Sequence, residues 1–435
     1  MARGTSHPSS KAANSLPTVV FPCPHHVGLG VTRSLGRLGV PVYNVDSTRW
    51  APAFFSRYSK GKAIWDFERN PAESSLDFLV TLGRRIGSRA VLVPTTDTAA
   101  VFIADHKEVL RSLFTFAALD PLLIRSLCNK REVYELARKF GVAVPQMTVP
   151  ETRAELASCF GYGKYPLIVK SIDGRFRKHK SQTKAVVRDR DEAFALYARI
   201  QDEVIGRIIV QEWIPMGAGT DWMFNGYLTS RSECLAAFTG RKLRQYPPDI
   251  GVTSLGVCER NDRLQEIAIG FLKSVHYEGA VDMDFRYDER DGQYKLLDVN
   301  PRIGGSFRLF VSEEGLDVAQ VLYLDQTGRS IRAGQVVEGR KWVVEDYDLV
   351  TAIGCSVKRR MGFREWWSSL RGIQEFGFLS AADPMPSAFM LRDDVAEVVD
   401  QLDALRSPIG PFESNSGATV LEMSLSNSEG SQGEA

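Results

Sequence analysis

The chain reads as an α/β unit followed by an α+β unit, and three observations predict that order. Strand and helix patterns alternate over roughly the first hundred residues, which is the mark of a parallel sheet. After the helix that ends near Pro145, strand-like runs follow one another with few helices between them, the pattern of an α+β layer. At 435 residues there is room for two or three compact units with a sizeable core.

The stretch TVVFPCPHHVGLGVTRSLGRLGVPVYNVD (18–46) predicts strand, glycine turn, helix, strand. Val31, Leu35 and Leu38 keep helical spacing, Gly39 stops the helix, and VPVYNV is a short buried strand. AVLVPTTD (90–97) is an apolar strand ending in polar residues. In NKREVYELARKFGVAVP (129–145), Asn129 caps a helix and Glu132 has capping-box spacing. Val133, Leu136, Ala137 and Phe140 form its buried stripe, and Gly141 and Pro145 end it.

Strand patterns then recur at PLIVKS (166–171), RIIVQEWI (207–214), WMFNGYL (222–228) and CLAAFTG (234–240). The helix RLQEIAIGFLKSV (263–275) precedes a hairpin over about 280–300. FREWWSSLRGI (363–373) predicts a helix with an aromatic face and DDVAEVVDQLDALR (393–406) another, with no chemistry attached to either. The expected divisions are a disordered leader (1–17), an α/β domain (18–125) and a second domain (126–330). Within the second, a small subdomain spans about 140–212. A C-terminal extension (331–406) and a disordered tail (407–435) follow.

A net charge of +1 argues against a global attraction to nucleic acid or to a membrane. The six cysteines are scattered without C-x-x-C spacing, which suits reduced thiols, and the six histidines lack zinc-type spacing. The leader lacks the apolar core of a signal peptide, and no apolar run approaches membrane-spanning length. A cytoplasmic protein is the expectation.

Chemistry concentrates in the hairpin MDFRYDERDGQYKLLDVN. A three-residue loop, Arg290-Asp291-Gly292, sets Asp284 opposite Asp298 and Asp282 opposite Asn300 on one face. A two-residue Asp-Gly loop would shift the register and split the two acids. Like charges directly opposite destabilise a sheet. A hard divalent cation on Asp284, Asp298 and Asn300 would compensate; a hydrated strand face is the competing reading.

Lys170 ends a strand and leads into SIDGRFRKHKSQTKA, a basic loop whose outline is a phosphate clamp or a solvated surface loop. Lys130 sits in a first helical turn, where a cation opposes the dipole unless an anion joins it. VQEWIP (210–215) ends an apolar strand in Gln211 and Glu212, suited to an adenine edge or to a plain linker. Arg241, Lys242 and Arg244 offer clamps for a carboxylate or phosphates. Gly304 and Gly305 permit close backbone approach or a simple turn. GLGVTR (28–33) is a dinucleotide-type turn without its third glycine. His25 and His26 stand at a strand end, at a substrate entrance or in a plain loop.

This order of parts resembles the ATP-grasp superfamily, over roughly residues 18–330. The resemblance rests on Lys130, Lys170, the QEWIP hinge, Asp284, and the D-x-N-x-R run at Asp298, Asn300 and Arg302. TGRKLRQYPPDIGVTSLG and NPRIGGSF are similar to the carboxylate–amine ligase branch, near the D-aspartate ligase-like enzymes. It implies a preATP-grasp domain of Rossmann-like type, then an ATP-grasp fold whose two subdomains clamp the nucleotide.

Carried over by residue, the resemblance assigns Lys130 and Lys170 to ATP phosphates. It assigns Gln211, Glu212, Trp213 and Ile214 to the adenine side and Asp221 to the ribose. Asp284, Asp298 and Asn300 would hold Mg²⁺, or Mn²⁺ in its place, and Arg302 would face the γ-phosphate or acyl phosphate. The family usually carries glutamates where Asp284 and Asp298 stand, one methylene longer.

The implied reaction activates a carboxylate, of an amino acid above all, as an acyl phosphate that an amine attacks, releasing ADP and phosphate. The basic loop at 171–184 is the expected lid. The implied partners are a small carboxylate and a small amine, with no nucleic acid and no membrane, and a homodimer is compatible with the reading. The alternatives are a carboxylase acting through carboxyphosphate and a nucleotide-binding module without ligase activity. A nicotinamide oxidoreductase ranks below both.

Overall fold

The computed structural model describes residues 15–117, 120–172, 184–200, 205–217, 219–332, 334–357 and 361–390. Most of the predicted leader, the tail, the helix expected at 393–406 and all of the lid but its ends lie outside the described residues.

The first unit is a parallel sheet of β1 (Thr18–Phe21), β2 (Val42–Asp46), β3 (Ser59–Ile64), β4 (Ala90–Pro94) and β5 (Phe114–Thr115). Its order is β3-β2-β1-β4-β5, so the winding reverses between β1 and β4. The near-continuous apolar strands reflect burial on both faces, with Val19, Val20, Phe21, Val91 and Val93 fully enclosed.

One expectation here is corrected. No glycine turn follows β1: the helix begins at His25, runs to Arg37, and contains Gly28 and Gly30. A Cβ at Gly28 would stand 2.3 Å from the Cys23 Cα, and one at Gly30 would stand 3.0 Å from the Phe307 ring. These glycines serve close packing, not a turn.

The second unit is an antiparallel sheet of β6 (Met147–Thr148), β7 (Leu167–Ser171), β8 (Lys184–Val187) and β9 (Ile208–Glu212), in the order β6-β9-β7-β8. Leu156, Phe160, Val169, Leu196 and Ile208 give it a core of its own.

The third unit is a seven-stranded sheet. Its strands are β10 (Asp221–Leu228), β11 (Cys234–Tyr246), β12 (Val252–Cys258), β13 (Gly279–Asp288), β14 (Gln293–Asn300), β15 (Lys341–Val343) and β16 (Ile373–Phe376). The order is β14-β13-β10-β11-β12-β15-β16. The stretch 341–376 thus supplies two edge strands, and the helix expected over 363–373 stops at Ser369 before β16 begins. Val20, Leu29 and Val31 of the first unit share one core with Met223, Phe307 and Phe310 of the third. Apolar packing therefore fixes these two units against each other.

The hairpin departs from prediction at its tip and agrees with it at its base. Asp288 pairs with Gln293, so the turn takes the four residues 289–292 instead of three. A β-bulge between Phe285 and Asp284 then absorbs Leu297 and restores Asp284↔Asp298 and Asp282↔Asn300.

Candidate active site

Four lysines from four separate elements converge on the two facing aspartates. Lys130 opens the helix Lys130–Lys139, which Asn129 caps by accepting from the N–H groups of Arg131 and Glu132. Glu132 accepts instead from the side chains of Asn129 and Ser126, so the cap is only half of the expected box. The Lys130 ammonium donates to Asp298 Oδ1 at 2.8 Å. Burial opposes its charge, but Asp298 outweighs that and raises its pKa above the ordinary lysine value.

Lys242, on β11, donates to Asp284 Oδ2 at 2.7 Å and is raised in the same way, burial being overcome by Asp284. Lys170, on β7, is buried and among the described residues finds a neutral acceptor, Gln211 Oε1 at 3.0 Å. Burial, then Lys184 and Lys130, depress its pKa well below the lysine range. Lys184 pairs with Lys170 across β7–β8 and donates to the Ile250 carbonyl at 2.8 Å. Burial and Lys130 bring its pKa down to about 8. Crowded cations of this kind are stable only with anions to share.

The Asp298 carboxyl is held below its usual range; burial works against this, and Lys130, Lys184 and Lys170 prevail. Asp282 is pushed the other way, to about 7, by burial and by Asp284. Its oxygens accept from Asn225 at 2.8 Å and from Asn300 at 3.3 Å. Among the described residues no three His, Cys, Asp or Glu side chains gather as a metal cluster. Asp284, Asp298 and the amide of Asn300 are nevertheless hard oxygen donors, which suit Mg²⁺. Among the described residues each carboxylate has one oxygen held by a lysine.

Gln211, Glu212, Trp213, Ile214 and Asp221 line the same cavity. Glu212 is already engaged by the Gln146 N–H at 2.9 Å, Arg290 at 3.0 Å and Lys295 at 3.5 Å. The Trp213 N–H donates to the Pro166 carbonyl. Asp221 accepts from Arg286 at 2.7 Å and from Gln245 at 3.1 Å.

Three predicted residues do not line this cavity: Arg241, Arg302 and Asn300, whose amide is taken up by Arg302 and Asp282. Arg241 points to the other face of β11, onto Glu259 and the Trp222 ring, because side chains alternate along a strand and Lys242 takes the inner face. Arg302 turns to the first unit, donating to Asp97 Oδ1 at 2.9 Å and to Asn300 Oδ1 at 3.0 Å. Arg244 is fixed by Asp348 through two parallel bonds.

Lys184 belongs in sequence to the basic loop expected as a phosphate clamp, whereas Arg286 is a site residue that the motifs do not mark. Arg286 donates to the Ile214 carbonyl and lies over the Trp213 ring, joining the hinge to β13. The alternation Asp282, Asp284, Arg286 on one strand face was the signal available for it.

Comparison with known proteins fits this geometry. Residues 254–325 match the family model of the carbamoyl-phosphate synthase L chain, ATP binding domain. The D-aspartate ligase of Enterococcus faecium is 24% identical over 300 residues, covering 64% of this chain and 69% of that one. The biotin carboxylase domain of the Hydrogenobacter thermophilus 2-oxoglutarate carboxylase, solved as a dimer with MgADP and bicarbonate, superposes with a TM-score of 0.58. It is 14% identical and covers 75% of this chain and 74% of that one.

The chain has the ATP-grasp fold. The L-amino acid ligase of Bacillus licheniformis shares it, with a TM-score of 0.53 at 18% identity and 75% of each chain covered. Within an ATP-grasp fold the parallel unit is the preATP-grasp domain, and the two following sheets are the subdomains that meet at the lysine cavity. No helix among the described residues is long and apolar enough to cross a membrane.

Proposed function

We propose that the chain is an ATP- and Mg²⁺-dependent ligase that activates a small carboxylate as an acyl phosphate and joins it to an amine, releasing ADP and phosphate. One observation carries the reading. Lys130, Lys170, Lys184 and Lys242 surround two facing aspartates in a single cavity, and two of those lysines lack a carboxylate partner among the described residues. A polyphosphate supplies the missing negative charge and a divalent cation satisfies the aspartates, so the two together neutralise the site.

In this reading Lys170 and Lys184 grip the phosphates, and Lys130 and Lys242 leave their aspartates for the transferring group. Asp284 and Asp298 would hold Mg²⁺, with Asn300 beside them; bound there, the ion supplies Lewis-acid stabilisation of the charge on the moving phosphoryl group. Gln211 keeps Lys170 in place, and the hinge from Glu212 to Ile214 borders the base. A carboxylate is a poor acyl donor because its leaving group would be an oxide, and phosphorylation removes that obstacle. The resemblance to D-aspartate ligase supports an amino-acid carboxylate as the acceptor of the phosphoryl group.

The test is ADP release, screened over pairs of amino acids and small amines, with Asp298→Asn as the blank. Release that needs both organic substrates is the expected result. Release with bicarbonate in place of the carboxylate would support the carboxylase reading, which the biotin carboxylase neighbour motivates. Binding of ATP without release for any pair would leave a nucleotide-binding module.

A further inference from the structure

The cavity wall beneath the hinge carries an arginine that the proposed chemistry leaves unused. Arg286 lies on β13, on the same strand face as Asp284, and lines the cavity together with Trp213, Ile214 and Asp249. A buried ion pair contributes little stability that an apolar side chain in its place would not. Its presence in a ligand cavity is consistent with a role in recognition.

A guanidinium carries five N–H donors. Three of them have acceptors among the described residues. Nε donates to Asp221 Oδ1 at 2.7 Å, Nη1 to the Ile214 carbonyl at 3.1 Å and Nη2 to the Asp249 carbonyl at 3.4 Å. Each terminal nitrogen therefore keeps one N–H without an acceptor among those residues. The group is held in place while it does so. Asp221 is itself tied to Gln245 at 3.1 Å, and the Trp213 ring centre lies 5.1 Å from the guanidinium carbon.

The hinge has the opposite shortage. The Glu212 N–H donates to the Gln146 carbonyl, the Trp213 N–H donates to the Pro166 carbonyl, and Pro215 has no N–H to give. The Glu212 carbonyl accepts from Gln211 Nε2 at 3.4 Å, and the Ile214 carbonyl accepts from Arg286. Among the described residues, 212–214 thus keep the Trp213 carbonyl and the Ile214 N–H for a ligand. These two belong to one trans peptide, so they point to opposite sides and only one can face a bound base. Adenine sets a donor, its amino group, beside ring-nitrogen acceptors. The hinge peptide answers one of the two; the spare N–H groups of Arg286 suit the other.

We propose that Arg286 reads the nucleotide base, donating from a terminal nitrogen to a ring nitrogen of adenine while the Trp213 carbonyl accepts from the amino group. The inference rests on the nucleotide-binding part of the proposed function and adds the residue that selects the base. Asp221, braced by Gln245, is then the positioning residue that aims the guanidinium.

The test removes the acceptor from the ligand and the donor from the protein. Full-length wild type and Arg286→Met are titrated with ATP and with its 1-deaza, 3-deaza and 7-deaza analogues, each with Mg²⁺ and without organic substrates. At least one analogue should bind wild type ~10-fold more weakly than ATP. Arg286→Met should bind that analogue and ATP equally. The double variant Asp221→Asn/Arg286→Met leaves no unpaired carboxylate in the wall, so it serves if the single variant does not fold, and it should show the same lost discrimination. An arginine that only braces the hinge would, when removed, weaken ATP and every analogue by one factor and leave the discrimination intact. That result overturns the assignment, as does a wild type that binds all four nucleotides alike. If wild type binds none of them, the nucleotide reading itself falls, an outcome distinct from unchanged discrimination.

Discussion

Asp284 stands directly opposite Asp298 across β13 and β14, and each is held by a lysine from a different element, Lys242 and Lys130. The sheet tolerates facing acids because two ammonium groups already neutralise them. On the proposed reading, phosphate draws the lysines away as the cation arrives, so the site exchanges partners without exposing bare charge.

Asp298→Asn removes a proposed cation ligand and the partner of Lys130 together. ADP release should fall at least ~10²-fold. A coupled assay at saturating ATP and Mg²⁺ reads the change, and undiminished turnover would remove Asp298 from the chemistry.

Lys242→Ala and Arg241→Ala should differ sharply although the residues are adjacent. Lys242 faces Asp284 in the cavity, whereas Arg241 pairs with Glu259 on the far side of the strand. The expected loss of kcat is ~10²-fold for Lys242→Ala and within about threefold for Arg241→Ala, whose partly exposed ion pair contributes little. Equal losses would contradict the strand alternation.

Nucleotide affinity should weaken as pH rises above about 8. Lys184 titrates at about 8 in the free protein, and bound phosphate favours its charged form. Binding near that pH therefore takes up a proton, and Kd should grow by up to about tenfold per pH unit beyond it. Calorimetry in two buffers of different ionisation enthalpy measures the uptake, and Lys184→Gln should reduce it.

Lys170→Met should abolish tight nucleotide binding while leaving the fold as stable or more so. The depressed pKa of Lys170 means that, at neutral pH, the unfolded chain holds this proton more readily than the folded one does. Its charge therefore opposes folding below the unfolded pKa, and methionine of similar length removes that cost, by on the order of 1 kcal/mol. Thermal unfolding without nucleotide reads the sign.

Gly304→Ala tests the wall beside Asp282. The added methyl would overlap Asp282 Cγ at 2.2 Å, so strand or turn must move, at a cost of about 1–3 kcal/mol. Urea unfolding measures it. The same change at Gly305 meets His26 Nε2 at ordinary contact distance and should be milder.

Local pattern alone determined much of this molecule. Apolar runs and period-3.6 hydrophobicity located β1, β2 and β4, the helix at Lys130 and the hairpin bearing Asp284, Asp298 and Asn300, because burial of a face or stripe imposes such patterns. The edge strands β3 and β5 carry too little apolar pattern to be read. The same pattern could not see that Gly28 and Gly30 lie inside a helix, since the contacts that demand them come from Cys23 and from Phe307, far along the chain. Nor could it foresee that a four-residue turn is offset by a bulge at Leu297. The pairing of Arg302 with Asp97, the inward turn of Lys184 and Arg286, and the meeting of His25 with Asp346 belong to tertiary structure. Each joins segments that approach only after the sheets pack, and a charge's partner is set by distance in space, which adjacency in sequence does not record.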